Sequence, residues 1–591
     1  MSASNVITLE TLNEQLPIWR PDDENHLYAI VDMGSNGIRF SITSMEPPST
    51  RLLEPVYSSR AAISLFDALT PSAGGPVFSS QTINDVASAL SGFHQLAIMH
   101  GVPQSQIVIL ATEAMRRATN GHQMLKAIAA ATNGLGVQIL DPAVETLFGA
   151  VMGSRSGLIN VPNSALFLDL GGGSVQMTWV ETSEDNYETD GAKAGESLPF
   201  GAAILTKVLQ QQSAEAQATE IGALQDGIAR IYANLCARFP NLRAIKEAHD
   251  RGEDASIEVY MCGGGFRGYG SMLMHNDPIS PYPIPSTNTY SVPGHRFKQP
   301  TKMRQVNDGH DGKVHGMSKR RRQQFPAIAT VIESFIAAVP NIRRVTFCGG
   351  SNRQGYLMMR MPKEIRESNP LQVLANVQEP EKPIFDAISG LLSASLPSSE
   401  TRLQDVPCVL VPGLAALFIR LIWTRSGHGT NSNSSFALHN AIVRDPDCPG
   451  LTHLARALLA VTHCARWGND IGPADQLLHQ GLWGIIESHH ADATFWALYI
   501  GAVANIIATV FPIMPTDPDR FISTIKFNQR FSAMLSKSKT NKDKTELTIT
   551  LSNDTAERVN LENLADIVKN TTKFKRDKSN FKASAKIIIH P

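Results

Sequence analysis

The stretch LYAIVDMGSNGIRFSIT, residues 27–43, decides the reading of the fold, because ALFLDLGGGSVQMTWV, residues 165–180, repeats its design. Each is an apolar strand that ends on an aspartate, Asp32 or Asp169, followed by glycines and a serine, Ser35 or Ser174, and then a second strand. Ile38, Phe40 and Ile42 alternate with polar residues, the spacing of a half-buried strand. Further glycine turns close apolar runs in EVYMCGGGFRGYG (258–270) and RVTFCGGSNRQGYL (344–357). Helical text at 84–99 and 213–239 lies between them, so strands alternate with helices and an α/β fold is expected.

The repeated turn has a physical use. Gly34, Gly171, Gly172 and Gly173 let the chain turn and bring bare N–H groups to a phosphate, and Ser35 and Ser174 can donate hydroxyl hydrogen bonds to it. Asp32 and Asp169 are candidate ligands for Mg²⁺, directly or through water, because that ion prefers oxygen and keeps waters. One such turn alone reads equally as a tight hairpin. Two copies, with a third glycine turn at Gly263, favour a cleft that grips one phosphoanhydride from both sides.

This set resembles the actin-like ATPase and sugar-kinase superfamily, whose two lobes each bring such a hairpin to a phosphate tail. Between the hairpins, VILATEAMRRATNG (108–121) resembles the exopolyphosphatase/guanosine pentaphosphate phosphatase (Ppx/GppA) family. The resemblance implies that Arg116 reaches the phosphate site; read without it, an arginine on a helix is more often solvent-exposed. In QILDPAVETLFGAVMG (138–153), Asp141 and Pro142 form an N-cap and first turn, so a helix begins there with Glu145 near its positive end. A carboxylate so placed could orient and deprotonate a water for attack on a terminal phosphorus. The family begins this helix with Glu-Glu-Ala and draws its proposed general base from it. Here the segment is Val144-Glu145-Thr146, which leaves one acid and allows Thr146 to hold the catalytic register. Glu145 as a mere helix cap, and Glu113 as a substitute, are the competing readings.

SLPFGAAIL (197–205), CGGGFRG (262–268), MSKRRRQQFPAI (317–328) and CGGSNRQGYLM (348–358) continue the resemblance in order, over about 27–361. They add Gly263, Gly264, Arg267 and Arg353 as secondary candidates, and Asn36 joins the phosphate-binding set. FCGGSNRQGYLM and residues 436–470 resemble a fungal subgroup that joins this module to a helical C-terminal region and carries mitochondrial status to nuclear genes. That implies a cytoplasmic regulator with a regulatory protein partner.

Composition sets the outer limits. The chain has 591 residues, 42% hydrophobic and 18% charged, and is therefore globular, with about four domains expected. Lys plus Arg number 53 against 54 Asp plus Glu, which argues against a protein that coats DNA. Six cysteines without a C-x-x-C pair exclude a disulfide scaffold and a zinc ribbon and fit a reducing compartment. The start of the chain lacks a signal-peptide pattern, and FWALYIGAVANIIATVFPIM (495–514) reads as a buried helix rather than a membrane span, so no membrane association is expected.

The expected plan is therefore α/β: two actin-like ATPase (ASKHA) lobes with an interlobe cleft, at 1–155 and 156–360, with a long loop at 275–317 in the second. A helical HD-like domain at 361–515 and a small α+β C-terminal domain at 516–591 follow. His439, His453 and His463 lack an adjacent His-Asp pair, so no second metal site is expected. The run Lys319, Arg320, Arg321 and Arg322 reads as a polyanion-steering patch, a nuclear localisation signal or a solvated helix start. Lys537, Lys539, Lys542 and Lys544 read as an exposed loop. The leading expectation is Mg²⁺-assisted hydrolysis, or sensing, of terminal phosphate on polyphosphate or a guanosine polyphosphate. A non-catalytic sensor that controls a partner is the alternative, and an ATPase or small-molecule kinase is the third reading.

Overall fold

The computed structural model describes residues 5–157, 161, 164–211, 213–397, 406–443, 448–532, 543–573 and 581–590. The chain divides into two compact units, Met1–Asp277 with Ser286–Ser368, and Pro278–Pro285 with Asn369–Pro591.

The first unit holds two six-stranded sheets built on one plan. In the first, Leu27–Gly34 pairs antiparallel with Gly37–Ser44 and parallel with Ile107–Ala111. In the second, Ala165–Leu170 pairs antiparallel with Val175–Val180 and parallel with Ile257–Cys262. Leu27–Gly34 is covered on both faces: Tyr28 and Ile30 enter one core cluster, and Ala29, Val31 and Met33 another. A strand with two buried faces needs a nearly unbroken apolar run, and polarity returns only at its turn end, at Asp32. One sheet is drawn from the segment 1–155 and the other from 156–360.

Helical segments link the lobes. Pro142–Glu145 continues through Thr146–Met152 to Gly153–Ser156 and packs against Asn352–Arg360. The crossing is very close: a Cβ on Gly355 would stand 1.9 Å from the Phe148 carbonyl oxygen. Only glycine fits there.

The stretch 275–317, expected as a long loop, is largely packed. Ser291–Pro293 extends the second sheet along Ile342–Phe347, and Pro300–Gly309 is a helix. Tyr290, Val292, Phe297 and Met303 are buried, but as isolated apolar residues among Pro, Asn and Gly they show no period in the sequence.

In the second unit, helices that include His453–Arg466, Gln476–His489 and Ala493–Val510 precede a sheet ordered Ile525–Ser532, Asp543–Ser552, Phe581–His590. The segments 361–515 and 516–591, expected as separate domains, share a core here. The Phe581 ring lies 5.3 Å from Phe495 and 5.5 Å from Trp496, centroid to centroid. Ala493–Val510 is the one helix among the described residues long and apolar enough to cross a membrane, and it is mostly buried inside the protein. His453 and His463 are buried, while His439 is half-exposed and pairs with Asp475 at 2.9 Å. Lys544, expected in a loop, lies instead on the strand Asp543–Ser552; Lys537, Lys539 and Lys542 lie outside the described residues.

Candidate anion-binding cleft

A cavity of about 150 Å³ lies between the two hairpin tips. Ser35 and Asn36 line it from the first lobe, and Gly171, Gly172, Gly173 and Ser174 from the second. Gly263, Gly264 and Arg267 close a third side. The tips nearly touch, since a Cβ on Gly172 would stand 2.7 Å from the Asn36 side chain. Gly263 has a φ of +85°, and a Cβ there would meet Asp169 Oδ1 at 2.0 Å. The chain leaving Ile257–Cys262 can thus turn beneath Asp169 only through glycine.

Asp32 and Asp169 both line the cavity, and Oδ1 of each is buried without a hydrogen-bond partner among the described residues. Burial pushes the Asp32 carboxyl up, against the pull of Arg39 and Arg353. Burial also raises Asp169, the neighbouring charge of Glu145 adds to it, and its pKa reaches about 7. Two orphaned carboxylate oxygens facing one space suit a hard cation that takes its remaining ligands from phosphate and water. No group of three or more His, Cys, Asp or Glu side chains arranged for a metal occurs among the described residues.

Glu145 lines the same cavity from the start of its helix, where Asp141 caps by accepting from the Ala143 and Val144 N–H groups at 2.9 and 3.1 Å. Burial raises its pKa, and the Arg116 guanidinium opposes the rise. Arg116, expected at the phosphate, does not line the cavity. Its Nη2 stands 2.8 Å from both Glu113 Oε2 and Glu145 Oε2, and its Nη1 donates to the Leu140 carbonyl. The guanidinium is occupied in holding Glu145. Arg353 also stands off the cavity and acts on Asp32 through its charge.

Positive charge dominates the walls. Arg39, Arg60, Arg267, Arg320 and Arg321 line the cavity, and no aromatic or aliphatic side chain does so among the described residues. Burial and mutual repulsion push Arg39 and Arg321 down to about 10, so they stay cationic at neutral pH while crowding one another. Arg267 Nη1 donates to the Cys348, Gly349 and Gly350 carbonyls at 3.0, 3.2 and 3.3 Å, which fastens the two glycine turns together. Arg39 and Arg60 escaped the sequence reading. The signal for Arg39 is its register, since it pairs with Asp32 across the hairpin. For Arg60, on the outermost strand of its sheet, no local signal exists.

With this geometry in place, comparison with protein-family models matches residues 48–364 to the Ppx/GppA phosphatase family and residues 369–589 to the RTG2 C-terminal domain. The chain belongs to the Ppx/GppA phosphatase family. It is 30% identical over 508 residues to Retrograde regulation protein 2 of Saccharomyces cerevisiae, covering 82% of this chain and 81% of that protein. Among solved structures, it is similar to the type II variant of the Aquifex aeolicus Ppx/GppA phosphatase, with 17% identity and a TM-score of 0.42, over 57% of this chain and 99% of that one. An exopolyphosphatase from Cytophaga hutchinsonii is similar at 16% identity and a TM-score of 0.41, over 56% and 96%.

Proposed function

We propose that the cleft takes the terminal phosphates of a polyphosphate chain, and that the protein cleaves or senses the terminal phosphoanhydride as a cytoplasmic regulator in mitochondria-to-nucleus signalling. One observation carries the reading: a cavity walled by five arginines, with no aromatic or aliphatic side chain lining it among the described residues. A guanosine polyphosphate needs a face for its base, whereas an inorganic chain needs only charge and N–H groups.

In this reading Asp32 and Asp169 hold Mg²⁺, which when bound neutralises charge on the phosphate oxygens. Arg39 and Arg321 face the non-transferred oxygens, and Ser35, Ser174 and the N–H groups of 171–173 fix the chain. Glu145, steadied by Arg116, orients the attacking water and accepts its proton. The sensor reading draws on the same Arg116–Glu145 pair, which ties up the one acid of the segment 144–146. A regulatory protein partner meeting the unit 369–591 belongs to this proposal, as does the absence of direct DNA binding; the name of the yeast relative supports the signalling role.

Phosphate release from polyphosphate, guanosine pentaphosphate and ATP is the test. Release from polyphosphate that Glu145→Gln abolishes while binding persists supports hydrolysis. Binding without release from any substrate supports the sensor. Preference for ATP contradicts both.

A further inference from the structure

Arg320 sits on the short helix Lys319–Gln323 of the second lobe, yet its guanidinium reaches the first. Its Nη2 donates to Asn36 Oδ1 at 2.9 Å and Ser64 Oγ at 2.8 Å, and stands 2.6 Å from Asp67 Oδ2. Ser64 Oγ donates in turn to the Ser35 carbonyl at 3.1 Å, and Gln324 adds a contact to the Asn36 oxygen at 3.4 Å. The guanidinium is therefore fastened to the back of the first phosphate-facing turn. The same side chain lines the cavity. One group thus serves two claims, a bridge between lobes and a cation at the ligand.

The bridge is of a kind that a ligand can take over. Arg320 and Asp67 side chains are 36% and 44% exposed, so their attraction is weak and screened by salt. A phosphate chain brings several charges where Asp67 brings one. Asp67 does not lose its partner when Arg320 leaves, because Lys207 Nζ, from the helix Ala202–Gln211 of the second lobe, stands 3.5 Å from its other oxygen.

We propose that Arg320 is an exchangeable interlobe latch: Asn36, Ser64 and Asp67 hold it in the free cleft, and a phosphate chain entering the cavity that Arg320 lines takes the guanidinium over. Ligand binding and release of this helix from the first lobe then act on one side chain. This rests on the reading of the cleft as a polyphosphate site.

The test combines tripolyphosphate titration with amide hydrogen exchange over 60–68 and 316–324, in the parent, Asp67→Asn, Arg320→Gln and the double variant. Asp67→Asn is expected to speed exchange in both segments of the free protein and to tighten tripolyphosphate binding about threefold by removing the competitor. Arg320→Gln is expected to speed exchange equally and weaken binding about tenfold. In the Arg320→Gln background, Asp67→Asn is expected to leave tripolyphosphate affinity unchanged. A parent that binds no tripolyphosphate sinks the cleft reading itself. A parent that binds, with Asp67→Asn leaving affinity unchanged or tightening it equally without Arg320, sinks the latch alone.

Discussion

Asp32 and Asp169 stand near the ends of equivalent strands of two sheets that share five strands of one plan. The sheets differ at the edge, where Val6–Ile7 runs parallel to its neighbour and Ser291–Pro293 antiparallel, and the two aspartates keep different company. Across its hairpin Asp32 pairs in register with Arg39, whereas Asp169 pairs with Gln176. The Arg39 cation works against burial at Asp32; the Glu145 carboxylate reinforces burial at Asp169 and carries it to about 7. Repetition of a backbone supplied the shape of the cleft. Arginines pull on both aspartates, Arg39 and Arg353 on Asp32 and Arg267 and Arg39 on Asp169, but only Asp169 has Glu145 beside it, and its pKa reaches about 7.

The contrast can be broken most forcefully at Asp169. Its folded pKa lies above the unfolded value, so its favourable contribution is full below about pH 4 and is lost as pH rises through about 7. Asp169→Asn removes the charged form, and is expected to be more stable than the parent at pH 8 by on the order of 1–4 kcal/mol and to lose most of that advantage at pH 5. Urea midpoints at the two pH values measure this. The opposite change, Arg39→Gln, gives the first hairpin the neutral partner of the second. Tripolyphosphate binding by calorimetry is then expected to weaken by roughly 1.5–3 kcal/mol, the range for hydrogen bonds to charged groups.

A finer comparison uses the metal. If each aspartate lends one oxygen to Mg²⁺, chelation is expected to weaken tripolyphosphate binding about tenfold, near 1.4 kcal/mol, in the parent. Asp32→Asn and Asp169→Asn are each expected to erase that difference. The smallest effect belongs to Glu113→Gln, which leaves the Arg116–Glu145 pair in place; its thermal midpoint is expected to move by no more than about 1 kcal/mol of stability.

How far the sequence revealed this site follows from where its parts come from. The turns were legible because aspartate, glycine and serine sit within a few residues of one another, and the family resemblance ordered them along the chain. The arginine wall was legible in part: Arg267 and the run 319–322 stood out, whereas Arg39 and Arg60 did not. Arg39 occupies a polar position of an alternating strand and reads as solvent-facing, and Arg320 reaches Asn36 of the first hairpin from nearly 300 residues away, which only the paired lobes reveal. Arg116 was placed on the correct helix but not in direction, since a motif fixes position along the chain and not which neighbour a long side chain chooses. The packing of 275–317 was hidden for a related reason: three-residue strands carry no period to read.

The most direct measurement of the central claim is a crystal structure of the full chain with tripolyphosphate and Mg²⁺. The account predicts a phosphate between residues 34–37 and 171–174, bonded to Arg39, with the cation touching Asp32 and Asp169. An anion seated outside this cleft, with Asp32 and Asp169 turned away from it, would contradict it.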